Sequence, residues 1–264
     1  MSAKRNRTRN GTAEQQPTEV KPRNILAIDI GGTKVKLLLS GQAEPRKAPS
    51  GKRFTPAALV ATVRELAADW QFDGVSIGYP GLVGNHGPRC EPGNLAPGWV
   101  GFDYAAAFGC PVRIANDAAM QALGSYDSGR MLFVGLGTGL GSALIADHVI
   151  VTLELGQMPA HQGPTLGEVL GRTGFKKLGK KRWRDAVNRV LPSLMKAFVA
   201  DYVVVGGGNS KELKQLPHGV RMGHNLTAFR GGFRLWNVED VPTLAADGEH
   251  SVPAPPPPVE WRVL

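Results

Sequence analysis

From Asn24 to Ile30, and again from Val35 to Ser40, the chain is almost continuously apolar, and the polar, glycine-bearing segment Gly31-Gly32-Thr33-Lys34 separates the two runs. Short β-branched and leucine-rich runs bounded by glycine predict strands covered on both faces. The layout returns at Met131–Leu136 and Ser142–Ala146 around Gly137-Thr138-Gly139-Leu140-Gly141, with a third strand at Val149–Thr152. Each glycine segment therefore caps a hairpin. Helical spacing appears after Thr55 and Pro56, which suit an N-cap and a first helical position. Leu59, Val60, Val63, Leu66, Ala67 and Trp70 then share one face. Strands follow at Val75–Tyr79, ending in Pro80-Gly81, and at Val112–Ala115, and a helix opens over Asp117–Leu123. A long helix is predicted from Lys181 to Ala200, bent at Pro192, with Trp183, Val187, Val190, Leu191, Leu194, Phe198 and Val199 as its apolar face. Tyr202–Val205 reads as a buried strand that Gly206-Gly207-Gly208 ends. Hairpin, helix and strand thus occur twice in the same order, an internal repeat within the α/β class.

With 264 residues the chain can bury two modest cores. Its composition, 42% hydrophobic and 20% charged, is that of an ordinary globular protein. No apolar run approaches the roughly 20 residues that cross a bilayer, and the polar start carrying Lys4, Arg5, Arg7 and Arg9 lacks a secretory apolar stretch. A cytoplasmic protein without a membrane partner is expected. Cys90 and Cys110 are the two cysteines, too few for a zinc cluster, and reduced thiols are expected of them. Residues 1–22 read as a disordered basic arm, and 248–264 as a tail built around Pro253-Ala254-Pro255-Pro256-Pro257-Pro258. The net charge is +9, and between Arg172 and Arg189 the cations Lys176, Lys177, Lys180, Lys181, Arg182 and Arg184 concentrate. Such a cluster is either a solvated face or a track for a polyanion.

Glycine turns admit the backbone close to phosphate oxygens. A Walker loop or a dinucleotide fingerprint would open a helix after the glycines, and here Val35-Lys36-Leu37-Leu38-Leu39 continues as a strand. What remains is a hairpin turn laying N–H groups, Thr33 and Lys34 along phosphate, with Asp29 positioned to hold a hydrated Mg²⁺. Asp117, at a strand-to-helix junction, is either an N-cap or a general base toward a hydroxyl. Asn94, in Gly93-Asn94-Leu95-Ala96-Pro97-Gly98-Trp99, offers a donor and an acceptor to a sugar hydroxyl or belongs to a tight turn. Glu154, in Glu154-Leu155-Gly156-Gln157, accepts from hydroxyls or from solvent. His161 reads as a surface or packing histidine.

Taken together, Asp29–Lys34, Gly78–Gly81, Gly93–Trp99, Ala115–Asp117, Leu136–Gly141, Glu154–Gly156 and Val205–Gly208 resemble, in order, the motifs of the ROK family of sugar kinases, and within it the polyphosphate glucokinase branch. The resemblance spans about Asn24 to Gly232. It implies an actin-like (ribonuclease H-like) duplicated two-domain fold with an interdomain cleft, a smaller domain at 23–116 and a larger one at 117–247. It implies glucose held by Asn94, Asn116, Asp117, Glu154 and Gln157, with Asp117 as base toward the 6-hydroxyl. It implies donor phosphates at Asp29, Gly31, Gly32, Thr33, Lys34, Gly137, Thr138 and Gly139, with the nucleotide or polymer near Gly206, Gly207 and Gly208, and a homodimer.

Two departures stand out. Gln157 occupies the position where the family carries histidine, and the family's cysteine-rich zinc motif is absent, as in the polyphosphate branch. The terminal Ala/Gly-rich helix is matched only loosely by Asn225–Leu235. The expected activity is Mg²⁺-dependent transfer from polyphosphate, ATP or both to glucose, with Lys180, Lys181 and Arg182 guiding the polymer. The alternative is a sugar-binding protein or regulator without turnover. The short polar arm is too small for a helix-turn-helix, so no nucleic-acid partner is expected.

Overall fold

The computed structural model describes residues 24–160, 163–224, 226–238 and 261–263. The arm 1–22, His161 and the proline run lie outside the described residues. The chain forms, in order, β1 (Ile25–Ile30), β2 (Lys34–Leu39), β3 (Arg46–Pro49), α1 (Pro56–Leu66), β4 (Gly74–Tyr79), β5 (Val83–Gly84), β6 (Gly87–Pro88), α2 (Tyr104–Phe108), β7 (Val112–Asn116) and α3 (Asp117–Ser125). The second half adds β8 (Met131–Leu136), β9 (Leu140–Ala146), β10 (Val149–Leu153), α4 (Leu166–Leu170), α5 (Arg172–Ala197), β11 (Tyr202–Gly206), β12 (Val220–Met222), α6 (Thr227–Arg234) and β13 (Arg262–Val263). None of the described helices is long and apolar enough to cross a membrane.

Two mixed sheets run in the orders β3-β2-β1-β4-β7 and β12-β11-β8-β9-β10-β13. Each has a central strand paired antiparallel to the next strand of its hairpin and parallel to a later strand on its other side. The repeat is therefore complete over five strands, β3-β2-β1-β4-β7 matching β10-β9-β8-β11-β12. β13 extends the second sheet by pairing with β10, so the described end of the chain returns to the fold instead of continuing as an extended tail.

Alternation along β1 sends Ile25 and Ala27 to one face and Leu26, Ile28 and Ile30 to the other, and both faces are buried. Along β8, Met131 and Phe133 share the first core while Leu132, Val134 and Leu136 face the other way. The period-2 pattern thus builds three layers of core. α3 and α6 lie between the two sheets, α1 and α2 cover the outside of the first, and α4 and α5 the outside of the second. A Cβ on Gly232 of α6 would come within 2.8 Å of Ala27 Cβ, so the loosely matched glycine-rich segment is a buried helix at the centre of the molecule.

Several expected boundaries move. Thr55 caps α1, accepting from Ala58 N at 3.1 Å. The helix ends at Leu66, and Trp70 follows it, its ring under the Arg46 guanidinium at 3.8 Å. α5 begins at Arg172, and a non-helical Gly179 (φ 74°, ψ 164°) breaks it just before the expected start at Lys181, with Pro192 inside the second segment. Glycine occupies that left-handed conformation without the steric penalty other residues meet. Val199 lies beyond the end of α5 and is 59% exposed, so it leaves the apolar face formed by Trp183, Val187, Leu191 and Leu194.

Candidate active site

Both glycine turns open on one cavity of about 780 Å³, Gly31 and Gly32 on one wall and Gly137, Thr138 and Gly139 on another. The first turn is closed by Gly31 N donating to Lys34 O at 3.0 Å, the second by Gly137 N donating to Gly139 O at 3.1 Å. A Cβ on Gly137 or Gly139 would meet no protein atom, so packing does not require glycine there. The space those Cβ atoms would occupy is open to a ligand. Arg172 N donates to the carbonyls of Gly137 and Thr138, tying the turn to the start of α5.

α3 begins on this cavity. Its N-cap is Asn116, whose Oδ1 accepts from Ala118 N and Ala119 N at 2.9 and 3.1 Å and whose Nδ2 donates to Gly81 O at 3.0 Å. The capping role left open for Asp117 is thus filled by its neighbour. Asp117 is the first residue of the helix and lines the cavity, with Oδ1 accepting from Ala118 N at 2.8 Å. Burial raises its proton affinity first, then the negative charge of Asp29 and, more weakly, that of Glu154; the hydrogen bond from Ala118 N opposes them. Its pKa is pushed up to about 7.

Asn94, Glu154 and Gln157 also line the cavity. The Asn94 amide lies against the first turn, where a Cβ on Gly32 would fall 2.4 Å from Nδ2. Glu91 shapes the loop that carries it. Oε2 accepts from Gly98 N and Trp99 N at 3.0 Å, and Oε1 from Val100 N at 3.3 Å. These bonds, that from Trp99 foremost, hold the Glu91 carboxyl below its ordinary range. Glu154 and Gln157 bracket a single 3₁₀ turn that Ser142 braces, Oγ donating to Leu153 O and accepting from Leu155 N.

A smaller cavity of about 170 Å³ is lined by Asp29, Gly206, Gly207 and Gly208, and it shares Gln121 and Gly207 with the larger one. Asp29 Oδ2 accepts from Lys36 Nζ at 3.0 Å. Lys36 is the cross-strand partner of Asp29, a position set by the hairpin register that motif reading passed over. Thr33 and Lys34 are exposed and line neither cavity. Lys180, Lys181 and Arg182 stand outside on α5, and Lys180 pairs with Glu212 at 2.9 Å. Sequence reading missed Gln121, Thr173, His224 and Thr227, which line one or both cavities and sit in no recognisable motif.

The ROK family sequence model matches residues 25–162. The polyphosphate glucokinase of Mycobacterium tuberculosis (strain ATCC 25618 / H37Rv) is 26% identical over 221 residues, covering 75% of this chain and 82% of the relative. The bifunctional enzyme NanE/NanK of Brucella melitensis is 30% identical over 170 residues, 58% of this chain and 32% of the relative. The inorganic polyphosphate/ATP-glucomannokinase of Arthrobacter sp. strain KM superimposes with a TM-score of 0.67 at 24% identity, over 80% of this chain and 96% of that one. A ROK family glucokinase from Streptomyces griseus, solved with glucose and AMPPNP, gives 0.61 at 16%, over 79% and 97%. The duplicated sheets are accordingly the actin-like, ribonuclease H-like fold, and the chain belongs to the ROK family.

Proposed function

We propose that this protein phosphorylates glucose at its 6-hydroxyl, forming glucose 6-phosphate, with inorganic polyphosphate, ATP or both as donor. The observation that carries the reading is Asp117. It is a carboxylate relieved of capping, raised toward neutral pH, on a cavity that both glycine turns also line. In the transfer, the sugar hydroxyl oxygen bonds to the terminal phosphorus, its proton passes to Asp117, and the donor's bridging P–O bond breaks. Such a reaction asks the protein mainly for positioning, charge neutralisation and a base. Asn94, Glu154 and Gln157 hold the sugar, with Asn116 orienting the start of α3. The turns Gly31–Gly32 and Gly137–Gly139 hold the transferring phosphates, and Gly206–Gly208 the nucleotide or the adjoining phosphates of the donor. The relatives named as glucokinases and a glucomannokinase support sugar phosphorylation.

Among the described residues no three His, Cys, Asp or Glu side chains group closely enough to hold a metal alone. Mg²⁺ keeps several waters and takes one or two carboxylates together with substrate phosphates, and Asp29 offers one on the smaller cavity. Asp29 would hold it through water, and its chemistry there is neutralisation of phosphate charge. A coupled assay for glucose 6-phosphate, run with ATP and with polyphosphate, tests the reading; no product from glucose with either donor overturns it.

Only the Asp117 carboxylate accepts a proton, so kcat/KM rises with pH through an acid limb near 7 and levels off above it. The Asp29 charge contributes to that position, so Asp29→Asn shifts the limb to lower pH, whatever it does to the plateau. A limb below pH 5 in the native enzyme removes Asp117 as the titrating base. Glu91→Ala, which unties the Asn94 loop, raises the KM for glucose roughly tenfold and kcat changes less, because the lost contact orders a binding loop. Unaltered glucose KM in this variant would show that Asn94 keeps its place without Glu91.

A further inference from the structure

Helix α5 runs from the cavity wall into the basic segment Lys176–Arg184. Thr173 lines the main cavity, and Arg172 N is bonded to the second glycine turn. One turn further along, Lys176 and Lys177 follow Arg172 and Thr173 at the i, i+4 spacing that stacks side chains on one helix face. Arg172, Lys176 and Lys177 are exposed, and among the described residues none of them pairs with a carboxylate. The remaining cations are differently placed. Gly179 breaks the helix before them, and Glu212 engages Lys180 at 2.9 Å and Arg184 at 3.9 Å. The acid closest in sequence is Glu168 on the cavity wall, whose Oε2 accepts from Thr165 N at 2.8 Å within a capping box.

We propose that a long polyphosphate chain leaves the cleft over the first segment of α5, past Thr173 and along Arg172, Lys176 and Lys177. This rests on the proposed phosphoryl transfer, and it moves the polymer track from Lys180–Arg182 to the segment before the break. The five helical steps from Arg172 to Lys177 rise roughly 7.5 Å at about 1.5 Å each, enough to engage phosphates beyond those inside the cavity. A short donor ends before it reaches these side chains, whereas a polymer carries negative charge along all of them. The track therefore selects for donor length, and the chemistry at Asp117 stays the same. These residues lie outside the segment that matches the family model.

The test compares Lys176→Ala/Lys177→Ala with Arg189→Ala/Lys196→Ala, which removes the same charge from the exposed far part of α5. For the first variant the KM for long-chain polyphosphate rises roughly tenfold, as loss of two steering charges allows. Its KM values for tripolyphosphate, ATP and glucose, and its saturated kcat, stay within about twofold, and Lys176→Arg/Lys177→Arg restores the native value. Equal effects of the two variants, or equal effects on short and long donors, overturn the track. Binding of fluorescently labelled long-chain polyphosphate to the same variants in an Asp117→Asn background separates the track from the activity. If no donor phosphorylates glucose but binding is lost only without Lys176 and Lys177, the transfer reading falls and the track stands. If polyphosphate is used and neither variant changes its KM or its binding, the track falls and the transfer reading stands.

Discussion

Asp117→Asn lowers kcat for glucose phosphorylation roughly a thousandfold, within the range of about 10²–10⁴ that a positioned general base contributes. The substitution isolates the proton-accepting function. Asparagine has nearly the same shape, and its Oδ1 can still accept from Ala118 N, the hydrogen bond that Asp117 makes at 2.8 Å. Asn116 continues to cap α3, so the helix keeps its start. The amide has no basic oxygen and cannot take the hydroxyl proton. Glucose affinity, read by calorimetry, and the melting temperature therefore stay close to native while turnover collapses. Retention of kcat within tenfold would remove Asp117 as the base.

The second large effect is on stability. α3 and α6 touch through their backbones: a Cβ on Gly231 would lie 1.8 Å from Met120 O, and one on Gly124 would lie 1.8 Å from Thr227 O. No side-chain rotation relieves a clash with a carbonyl. The helices would have to separate, and α6 is already pressed on the first sheet through Gly232. Arg234, which donates to Leu123 O and Tyr126 O at 2.7 Å, would be displaced with them. Gly231→Ala and Gly124→Ala each cost about 3 kcal/mol or more, the upper part of the range for overpacked cores. At roughly 2–4 °C per kcal/mol for a chain of this size, the melting temperature drops by about 10 °C. Gly139→Ala, whose Cβ meets open space, serves as the contrast and leaves melting within about a degree or two. A Gly231→Ala protein that melts like the native one would show that the two helices slide apart without loss.

Elements with strong periodicity were readable before the fold was known. β1, β2, β4, β8, β9 and β11 are apolar runs between glycines, and α1 shows its cap and its face. The elements that escaped are short or polar. β3 is Arg-Lys-Ala-Pro on a sheet edge, α2 has five residues, and β12 has three. Their apolar content is too small to produce a period, and they form because a neighbouring strand or core accepts them. α6, matched only loosely through the family resemblance, was hidden from periodicity for another reason. Glycines lower helix propensity, and here they serve a backbone contact that propensity does not register.

The local chemistry was written in the chain: two glycine hairpins, a carboxylate at a strand-to-helix junction, and a polar loop bearing Asn94. Alternation of apolar residues and the steric freedom of glycine act over a few residues, so a linear reading detects them. Pairings between distant positions required the folded molecule. It decided that Asn116 and not Asp117 caps α3, and that Lys36, which no motif singled out, pairs with Asp29. It also showed Thr33 and Lys34 outside the cavities and the start of α5 bonded to the second turn. Hydrogen bonds and ion pairs act over about 3 Å, and sequence separation carries no measure of that distance until the two sheets close around α3 and α6.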